Sequence, residues 1–382
     1  MKRPFFVWAV TLCAAAAPGV LKADPSWIIK PPASDSGRMQ VFTSHSADTQ
    51  RPFTVRSIAP ADKKSFRRMI FGDRQTDYAC AGINEHGLTV LFFKADATRD
   101  TPSKPTGKQR LYTGSCLVDL LLSRCKTANQ ASNALRKLAR SGYIAYGMII
   151  FIVDARHPLI FEIAPRNYAT RELGLHYAVY SNRWKMPGLE DSSSMMPWEL
   201  YPRLQEEWVA KTGIVNARRN DRKVSIPEAI AISRTNAADI RREGIGRGPS
   251  TGNTLDGCLF ELDPDYPGIL SCVYASFGPP RHTVYLPIPL GAMDALPPEL
   301  ANAEWAAIGC ELNRNTPETA PVSRDLAVFE KYLFQEFGDI RHQAKLLLKE
   351  GKTEEARTLL RDMLRRQTRE TLKFMKARIR IK

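Results

Sequence analysis

The sequence lacks several features that would indicate common protein classes. After the N-terminal segment, no run is long and apolar enough to span a bilayer, which takes about 20 apolar residues. The glycines of residues 242–257 follow no apolar strand and precede no Gly-Lys-Ser/Thr, so they do not indicate a phosphate-binding loop. The sequence therefore does not indicate an integral membrane protein or a P-loop nucleotide-binding protein.

Cysteines are few, and their spacing matches no zinc site or disulfide-knot framework. One of the seven, Cys13, lies in the N-terminal segment, and several others sit in apolar runs as ordinary buried cysteines do. We expect zero or one disulfide and no cofactor or metal. The cysteines downstream of the N-terminal segment are Cys80, Cys116, Cys125, Cys258, Cys272 and Cys310.

The N-terminus has the pattern of a secretory signal. Lys2 and Arg3 precede an apolar stretch at residues 5–17, and Ala23 is a small residue suited to cleavage. We expect residues 1–23 to be removed, so that Asp24 becomes the mature N-terminus of an exported, periplasmic or secreted protein. The hydrophobic fraction of 43% and six tryptophans predict a packed core in the rest of the chain.

Positive charge is concentrated towards the C-terminus of a chain with a formal net charge of +15. Residues 311–382 form a basic segment with leucines and methionines at helical spacing. Such a helix could contact a membrane surface, a nucleic acid or an acidic partner. We favour the alternative that its apolar stripe packs on the body. The export signal argues against a nucleic-acid partner.

Between these ends, strand patterns flank a helical region. Residues 27–29 and 39–42 predict an opening hairpin around Pro31 and Pro32. Residues 78–93 predict strand, turn and strand, with Gly87 suited to positive φ. Residues 148–163 predict a second tight hairpin, and residues 127–141 predict a helix. Antiparallel strands at both ends with helices between predict an α+β fold of stacked layers.

Four motifs resemble N-terminal nucleophile (Ntn) hydrolases, in particular the secernin and dipeptidase A branch, which is related to choloylglycine hydrolases and other linear-amide C–N hydrolases. The resemblance covers roughly residues 24–290 and excludes the basic tail. Its most specific motif is the Asn-Glu-His-Gly turn. The motifs are Ser-Trp-Ile-Ile-Lys-Pro-Pro-Ala-Ser through Ser-His-Ser-Ala-Asp (26–48), Phe-Thr-Val-Arg-Ser-Ile-Ala-Pro (53–60), Ala-Gly-Ile-Asn-Glu-His-Gly-Leu (81–88) and Tyr-Ser-Asn (180–182).

The resemblance implies a four-layer αββα sandwich over residues 24–310, with the basic helical tail added. It also implies a nucleophile at the mature N-terminus, here Asp24, whose α-amine serves as base. Asp48 would orient that amine, while Asn84 and Asn182 would hold the substrate carbonyl or form an oxyanion hole. Asn84 could instead cap its own turn.

Other residues near this implied site could contact a small amide or peptide ligand. Ser26 lies two residues after Asp24, and His45 stands where choloylglycine-type enzymes carry an Arg. Trp27 could form a pocket wall or lie in the core. Arg234 could bind a substrate carboxylate through two parallel hydrogen bonds, or lie on the surface at a helix end.

The residue at position 24 departs from the family, which opens with Cys. A carboxylate lacks the nucleophilicity of a thiolate and is not activated by losing a proton to the amine. Two hypotheses about function follow. The chain is an exported hydrolase of linear amides such as dipeptides or acyl-amino acids, or it is a catalytically silent relative that binds an amide, peptide or cell-envelope ligand.

Overall fold

The computed structural model describes residues 22–23, 25–46, 53–73, 78–95, 114–142, 144, 147–164, 167–174, 176–181, 209–214, 223–235, 254–302, 304–316 and 322–380. Three of the expected site residues, Asp24, Asp48 and Asn182, lie outside this part of the chain, as do residues 1–21 of the expected signal segment.

Two antiparallel sheets form the centre of the molecule. The first has the strand order β11-β2-β3-β12-β13-β14, with β1 also paired to β3, and the second has the order β10-β9-β8-β7-β6-β5-β4. The strands are β1 Lys22–Ala23, β2 Ser26–Ile29, β3 Met39–Ser46, β4 Phe53–Ile58, β5 Arg68–Asp73, β6 Tyr78–Asn84, β7 Thr89–Lys94, β8 Met148–Val153, β9 Pro158–Ile163, β10 Tyr168–Glu172, β11 Tyr177–Tyr180, β12 Thr254–Leu262, β13 Cys272–Phe277 and β14 Leu286–Pro289.

In chain order, two helices separate β7 from β8, and the other helices follow β11. They are α1 Gly114–Arg124, α2 Ala128–Arg140, α3 Ile226–Arg234, α4 Pro267–Leu270, α5 Pro298–Ala301, α6 Glu304–Arg314, α7 Arg324–Lys349 and α8 Thr353–Arg380. Short 3-10 turns span Pro31–Ala33 and Leu290–Ala295, and a π-helix spans Val209–Ile214. In the described part of the chain, no helix is long and apolar enough to cross a membrane.

Local sequence explains several of these boundaries. Helix α2 begins where the side chain of Thr127 accepts a hydrogen bond from the backbone N–H of Gln130. The β8–β9 turn closes because Asp154 Oδ1 accepts from the N–H groups of Arg156 and His157. Gly87 ends the β6–β7 turn with a φ of 78°. The predicted hairpins and the capped helix are confirmed.

The two sheets pack face to face, as ring contacts between them show. Phe71 of the second sheet meets Phe260 of the first at 5.7 Å between ring centroids, and Phe151 meets Tyr180 at 5.6 Å. Because side chains alternate along a strand, the register then assigns each residue to the inner or outer face. Helices α1 and α2 cover the outer face of the second sheet with a separate apolar cluster.

Helices α7 and α8 cover the outer face of the first sheet. The Tyr274 ring contacts both Phe334 and Phe337 of α7, at 5.2 and 6.0 Å between centroids. The chain reverses between the two helices at Gly351, whose φ is 79°. The predicted αββα sandwich is confirmed, but its fourth layer consists of α7 and α8, which belong to the basic segment predicted as an addition to a sandwich of residues 24–310. The favoured interpretation of the basic segment is also confirmed, because its apolar stripe packs on the body.

Candidate functional site

A polar cluster lies between the two sheets at one end of an otherwise apolar core. Ser26, Thr43, His45, Asp256 and Cys258 occupy the inner face of the first sheet, since Thr43 pairs with Cys258 and His45 pairs with Asp256. Cys80 of the second sheet belongs to the same layer and interacts electrostatically with Asp256. All six residues are buried. We call Ser26, Thr43, His45, Cys80, Asp256 and Cys258 the inter-sheet polar cluster.

His45 and Asp256 form a buried pair at the centre of the cluster. The Nδ1 atom of His45 lies 3.1 and 3.2 Å from the two carboxylate oxygens of Asp256, and the backbone N–H of His45 donates to the same carboxylate at 2.9 Å. The His45 ring also packs against Phe53, at 5.8 Å between centroids. These contacts from two strands fix the orientation of the imidazole.

The pair has the geometry of a base and the group that orients it. With Asp256 ionised, Nδ1 carries the proton and donates it to the carboxylate, which leaves Nε2 as an acceptor. Nε2 is buried, and within the described residues it has no hydrogen-bond partner. Burial raises the pKa of Asp256, and the adjacent His45 opposes that rise. In this tautomer, Nε2 is the ring atom that can accept a hydrogen bond or a proton.

The thiols of the cluster are poor nucleophiles. Burial raises the pKa of Cys80 well above its ordinary value, and the charges of Asp256 and Asp73 add to the effect. Burial likewise raises the pKa of Cys258, whose thiol also donates to Asp256 at 3.7 Å. Because the thiolate is the reactive form, neither side chain is activated for attack. None of the six cysteines from Cys80 to Cys310 is in a disulfide.

The cluster lies beside the strand edge that flanks position 24. Ala23 is the pairing partner of His45, and Ser26 opens β2 two residues after Asp24. The Ser26 hydroxyl is buried and donates to Thr43 Oγ1 at 3.1 Å, so the structure joins two of the expected ligand contacts, Ser26 and His45, in one layer. Within the described ranges, no group of His, Cys, Asp and Glu could hold a metal ion.

Trp27 does not belong to this site. It pairs with Phe42 and stacks on that ring at 3.9 Å between centroids, on the face of the sheet opposite to Ser26. Its side chain is fully buried. The expectation of a substrate contact is corrected to the core alternative, because adjacent residues of a strand point to opposite faces.

Asn84 is a structural residue at the opposite end of its strand, about 13 Å along β6 from Cys80. Its side-chain amide donates to the carbonyls of Leu122 and Cys125, both at 2.8 Å. Its side-chain oxygen accepts from the N–H groups of His86 and Leu88, both at 3.1 Å. These four bonds use the full capacity of an amide, so Asn84 has no donor left for a substrate carbonyl.

Arg234 binds a carboxylate, but the carboxylate belongs to the protein. Its guanidinium contacts both oxygens of Glu330 on α7, at 2.7 and 2.5 Å. It also donates to the carbonyls of Pro280 and Thr283, at 2.8 and 3.1 Å. Arg234 is buried at the end of α3, so both the substrate contact and the surface alternative are corrected.

Asp256, Cys258 and Cys80 are not among the site residues predicted from the sequence. A signal was present, because Asp256, Cys258 and Phe260 alternate in strand β12 and so share one face. What the pattern could not show is which strand pairs with β12. His45 and Asp256 are 211 residues apart in the chain and meet only through that pairing.

Comparisons with known proteins found no matching family model and no matching curated protein. Among solved structures, the chain is similar to a Caenorhabditis elegans N-acylethanolamine-hydrolyzing acid amidase ortholog, with a TM-score of 0.41 and 10% identity over 63% of this chain and 94% of that chain. It is also similar to penicillin V acylase from Agrobacterium tumefaciens, with a TM-score of 0.34 and 13% identity over 66% and 86%.

A third similar structure is a single-residue variant of conjugated bile acid hydrolase from Clostridium perfringens, with a TM-score of 0.40 and 9% identity over 66% of this chain and 89% of that chain. At these TM-scores and identities, the likeness carries no argument about the activity of this chain. The αββα arrangement itself rests on the strand order and helix packing described above.

Proposed function

We propose that this chain is an Ntn-hydrolase-like protein that acts on linear amides, such as dipeptides or acyl-amino acids, at the inter-sheet polar cluster. The observation that carries the proposal is the buried His45–Asp256 pair, whose Nε2 lacks a partner among the described residues. The pair lies beside Ala23, next to the position where the resembled family holds its nucleophile.

In the hydrolytic reaction, His45 serves as general base. Nε2 accepts a proton from the attacking water as the water oxygen bonds to the amide carbon, and the proton then passes to the leaving nitrogen as the C–N bond breaks. Asp256 stabilises the imidazolium formed in between, as a buried carboxylate does in triad enzymes. This route needs no thiolate, in agreement with the raised pKa values of Cys80 and Cys258.

The second candidate is ligand binding without turnover. It is favoured by the loss of two expected substrate contacts, since Asn84 and Arg234 are fully engaged within the protein. It is also favoured by Asp24, which replaces the nucleophilic Cys of the family. In that case an amide, peptide or cell-envelope ligand occupies the same cluster, and export to the periplasm or medium remains part of the proposal.

One experiment separates the candidates. The exported chain is identified by intact mass and N-terminal sequencing, and is then incubated with dipeptides and acyl-amino acids while amine release and binding heat are measured. His45→Gln is compared with His157→Gln. The control removes another His–Asp contact, to Asp154 at 3.4 Å, which lies in the partly exposed β8–β9 turn.

For a hydrolase, His45→Gln should lower turnover by about 10²–10⁴-fold, while His157→Gln leaves it unchanged. For a binding protein, the wild type binds without releasing amine, and only His45→Gln weakens binding. The proposal is wrong if the wild type shows no binding and no turnover across the panel. It is also wrong if the two substitutions have equal effects.

A further inference from the structure

The C-terminal hairpin of α7 and α8 presents a charged face of exposed residues. Helix α8 has exposed residues at positions separated by three or four, which place them within about 100° of one another around the helix axis. The charges at these positions are segregated: the acidic residues lie in the first half and the basic residues in the second. This outward face of α8 comprises Glu354, Thr358, Asp362, Arg365, Arg369 and Lys373.

The segregation extends beyond what the helix dipole explains. The dipole favours acids in the first turn and bases in the last turn, and its effect falls off within those turns. Asp362 and Arg365 lie in the middle of the 28-residue helix and are well exposed, at 60% and 53%, with 3.6 Å between their charged atoms. Arg369 and Lys373 make no ion pair within the described residues. In the acidic half, Glu354 lies 3.7 Å from both Arg357 and Arg361, but its side chain is 78% exposed. Exposed ion pairs of this length are weak, so the charge in each half remains accessible to a partner.

Exposed apolar side chains flank this face on the neighbouring helix. Val328, Tyr332 and Leu346 are the large hydrophobic residues that remain exposed in the described part of the chain, at 62%, 50% and 47%, and all three lie on α7. At the hairpin end, Leu346 and Leu359 line an open groove of about 690 Å³ between α7 and α8. Val328 and Tyr332 are one turn apart, and Leu346 lies about 21 Å further along α7, so these side chains accompany the charge pattern of α8 and do not form one apolar patch.

We propose that the outward face of α8 binds the same face of a second copy of this chain, antiparallel and related by a two-fold axis. An axis at the midpoint of Met363 and Leu364 brings Glu354 level with Lys373 of the second copy and Asp362 level with Arg365. Each opposite-charge pairing then occurs twice, as two-fold symmetry requires.

The same axis also matches the apolar side chains. Leu346 lies in the groove beside Leu359, towards the hairpin turn. Tyr332 lies towards the N-terminal end of α7, where it interacts electrostatically with Glu336 and Glu370. Reversing one copy places the Leu346 end of α7 over the Tyr332 end of the other, so apolar surface meets apolar surface.

A second copy fits this face better than an anionic membrane does. Two basic residues near the basic half are already paired within the chain, Arg366 with Glu336 and Lys376 with Glu304, each at 2.5 Å. The acidic half, together with Glu350 beside the groove, would be repelled by anionic lipid. Only a partner with both charge signs in reverse order complements the whole face.

The test is a charge-exchange experiment on the full chain by sedimentation velocity. Variant one carries Glu354→Lys and Asp362→Lys, and variant two carries Arg365→Glu and Lys373→Glu. Each alone should dimerise about tenfold more weakly than wild type, or worse, because like charges then face each other. Mixed in equal amounts they should form a heterodimer, since every pairing again joins opposite charges. Wild-type dimerisation should weaken with salt.

The control variant, Asp35→Lys with Glu172→Lys, makes the same change in net charge as variant one at exposed positions on the sandwich and should dimerise like wild type. Circular dichroism verifies that each variant is folded. A monomeric wild type at every concentration would overturn the proposal, as would folded variants whose mixture stays monomeric. Binding of monomeric wild type to phosphatidylserine vesicles would replace the second copy with a membrane surface.

Discussion

The buried ion pair between Arg234 and Glu330 offers the sharpest test of how the C-terminal hairpin is attached. The two side chains are only 6% and 5% exposed and meet through two hydrogen bonds. Glu330 also accepts from the backbone N–H of Tyr285 at 2.7 Å. Glu330→Ala would leave a buried guanidinium without its counter-charge and a buried N–H without its acceptor.

We expect Glu330→Ala to lower the free energy of unfolding by about 3–5 kcal/mol, the range found when one partner of a buried ion pair is removed. Glu330→Gln should cost less than Glu330→Ala, because it keeps the shape of the side chain and an acceptor for Tyr285. The assay is urea unfolding followed by circular dichroism, with the midpoint and the slope compared between variants.

A matched control lies on the same helix. Glu336 also contacts an arginine, Arg366, but that arginine is 47% exposed. Glu336→Ala removes this partly exposed ion pair and a hydrogen bond from the buried Gln367 amide at 2.7 Å, so it should cost about 1–2 kcal/mol, less than Glu330→Ala. Equal costs for the two alanine variants would refute the reasoning. So would an Arg234→Lys variant that weakens ligand binding without changing stability, since Arg234 would then belong to the ligand site.

Two further predictions concern residues away from the cluster. Asn84→Ala should lower the free energy of unfolding by about 2–4 kcal/mol, because it leaves buried backbone groups unpaired. Ligand binding measured by calorimetry should not change. Weaker binding at unchanged stability would show that Asn84 belongs to the ligand site. Burial opposes ionisation of Glu261, but Arg341 and Arg38 outweigh it and hold its pKa below the ordinary 4.5. The ionised Glu261 carboxylate therefore contributes its full stabilisation above pH 4.5, and this stabilisation is lost as the pH falls through the lowered pKa. Urea midpoints should fall less steeply on acidification in Glu261→Gln than in wild type, and identical slopes would contradict the assignment.

Local sequence predicted most of the secondary structure. Two apolar runs joined by the mostly polar residues 154–157 predicted the hairpin of β8 and β9, and Thr127 marked the start of α2. These features depend on a few consecutive residues, so they can be predicted without knowledge of the tertiary fold. Strands β5 and β10 were missed, because Arg68–Asp73 has a charged residue at each end and Tyr168–Glu172 ends in two charged residues.

The candidate site was only partly predictable. The resemblance brought attention to Ser26 and His45, which the structure places in one layer. It also selected Trp27, whose neighbour Ser26 points inward while Trp27 itself points to the opposite face. The motif thus identified the correct strand end, and the pleat of the strand decided which side chains reach the cluster.

The sequence by itself determined the class of fold, the hairpins and turns, and the amphipathic character of the C-terminal segment, because these follow from residue periodicity and turn chemistry. Only the tertiary structure decided the partners of the charged residues. Arg234 meets Glu330 across 96 residues, and His45 meets Asp256 across 211. A buried charge takes the counter-charge that packing brings within hydrogen-bonding distance, and packing is a property of the whole chain.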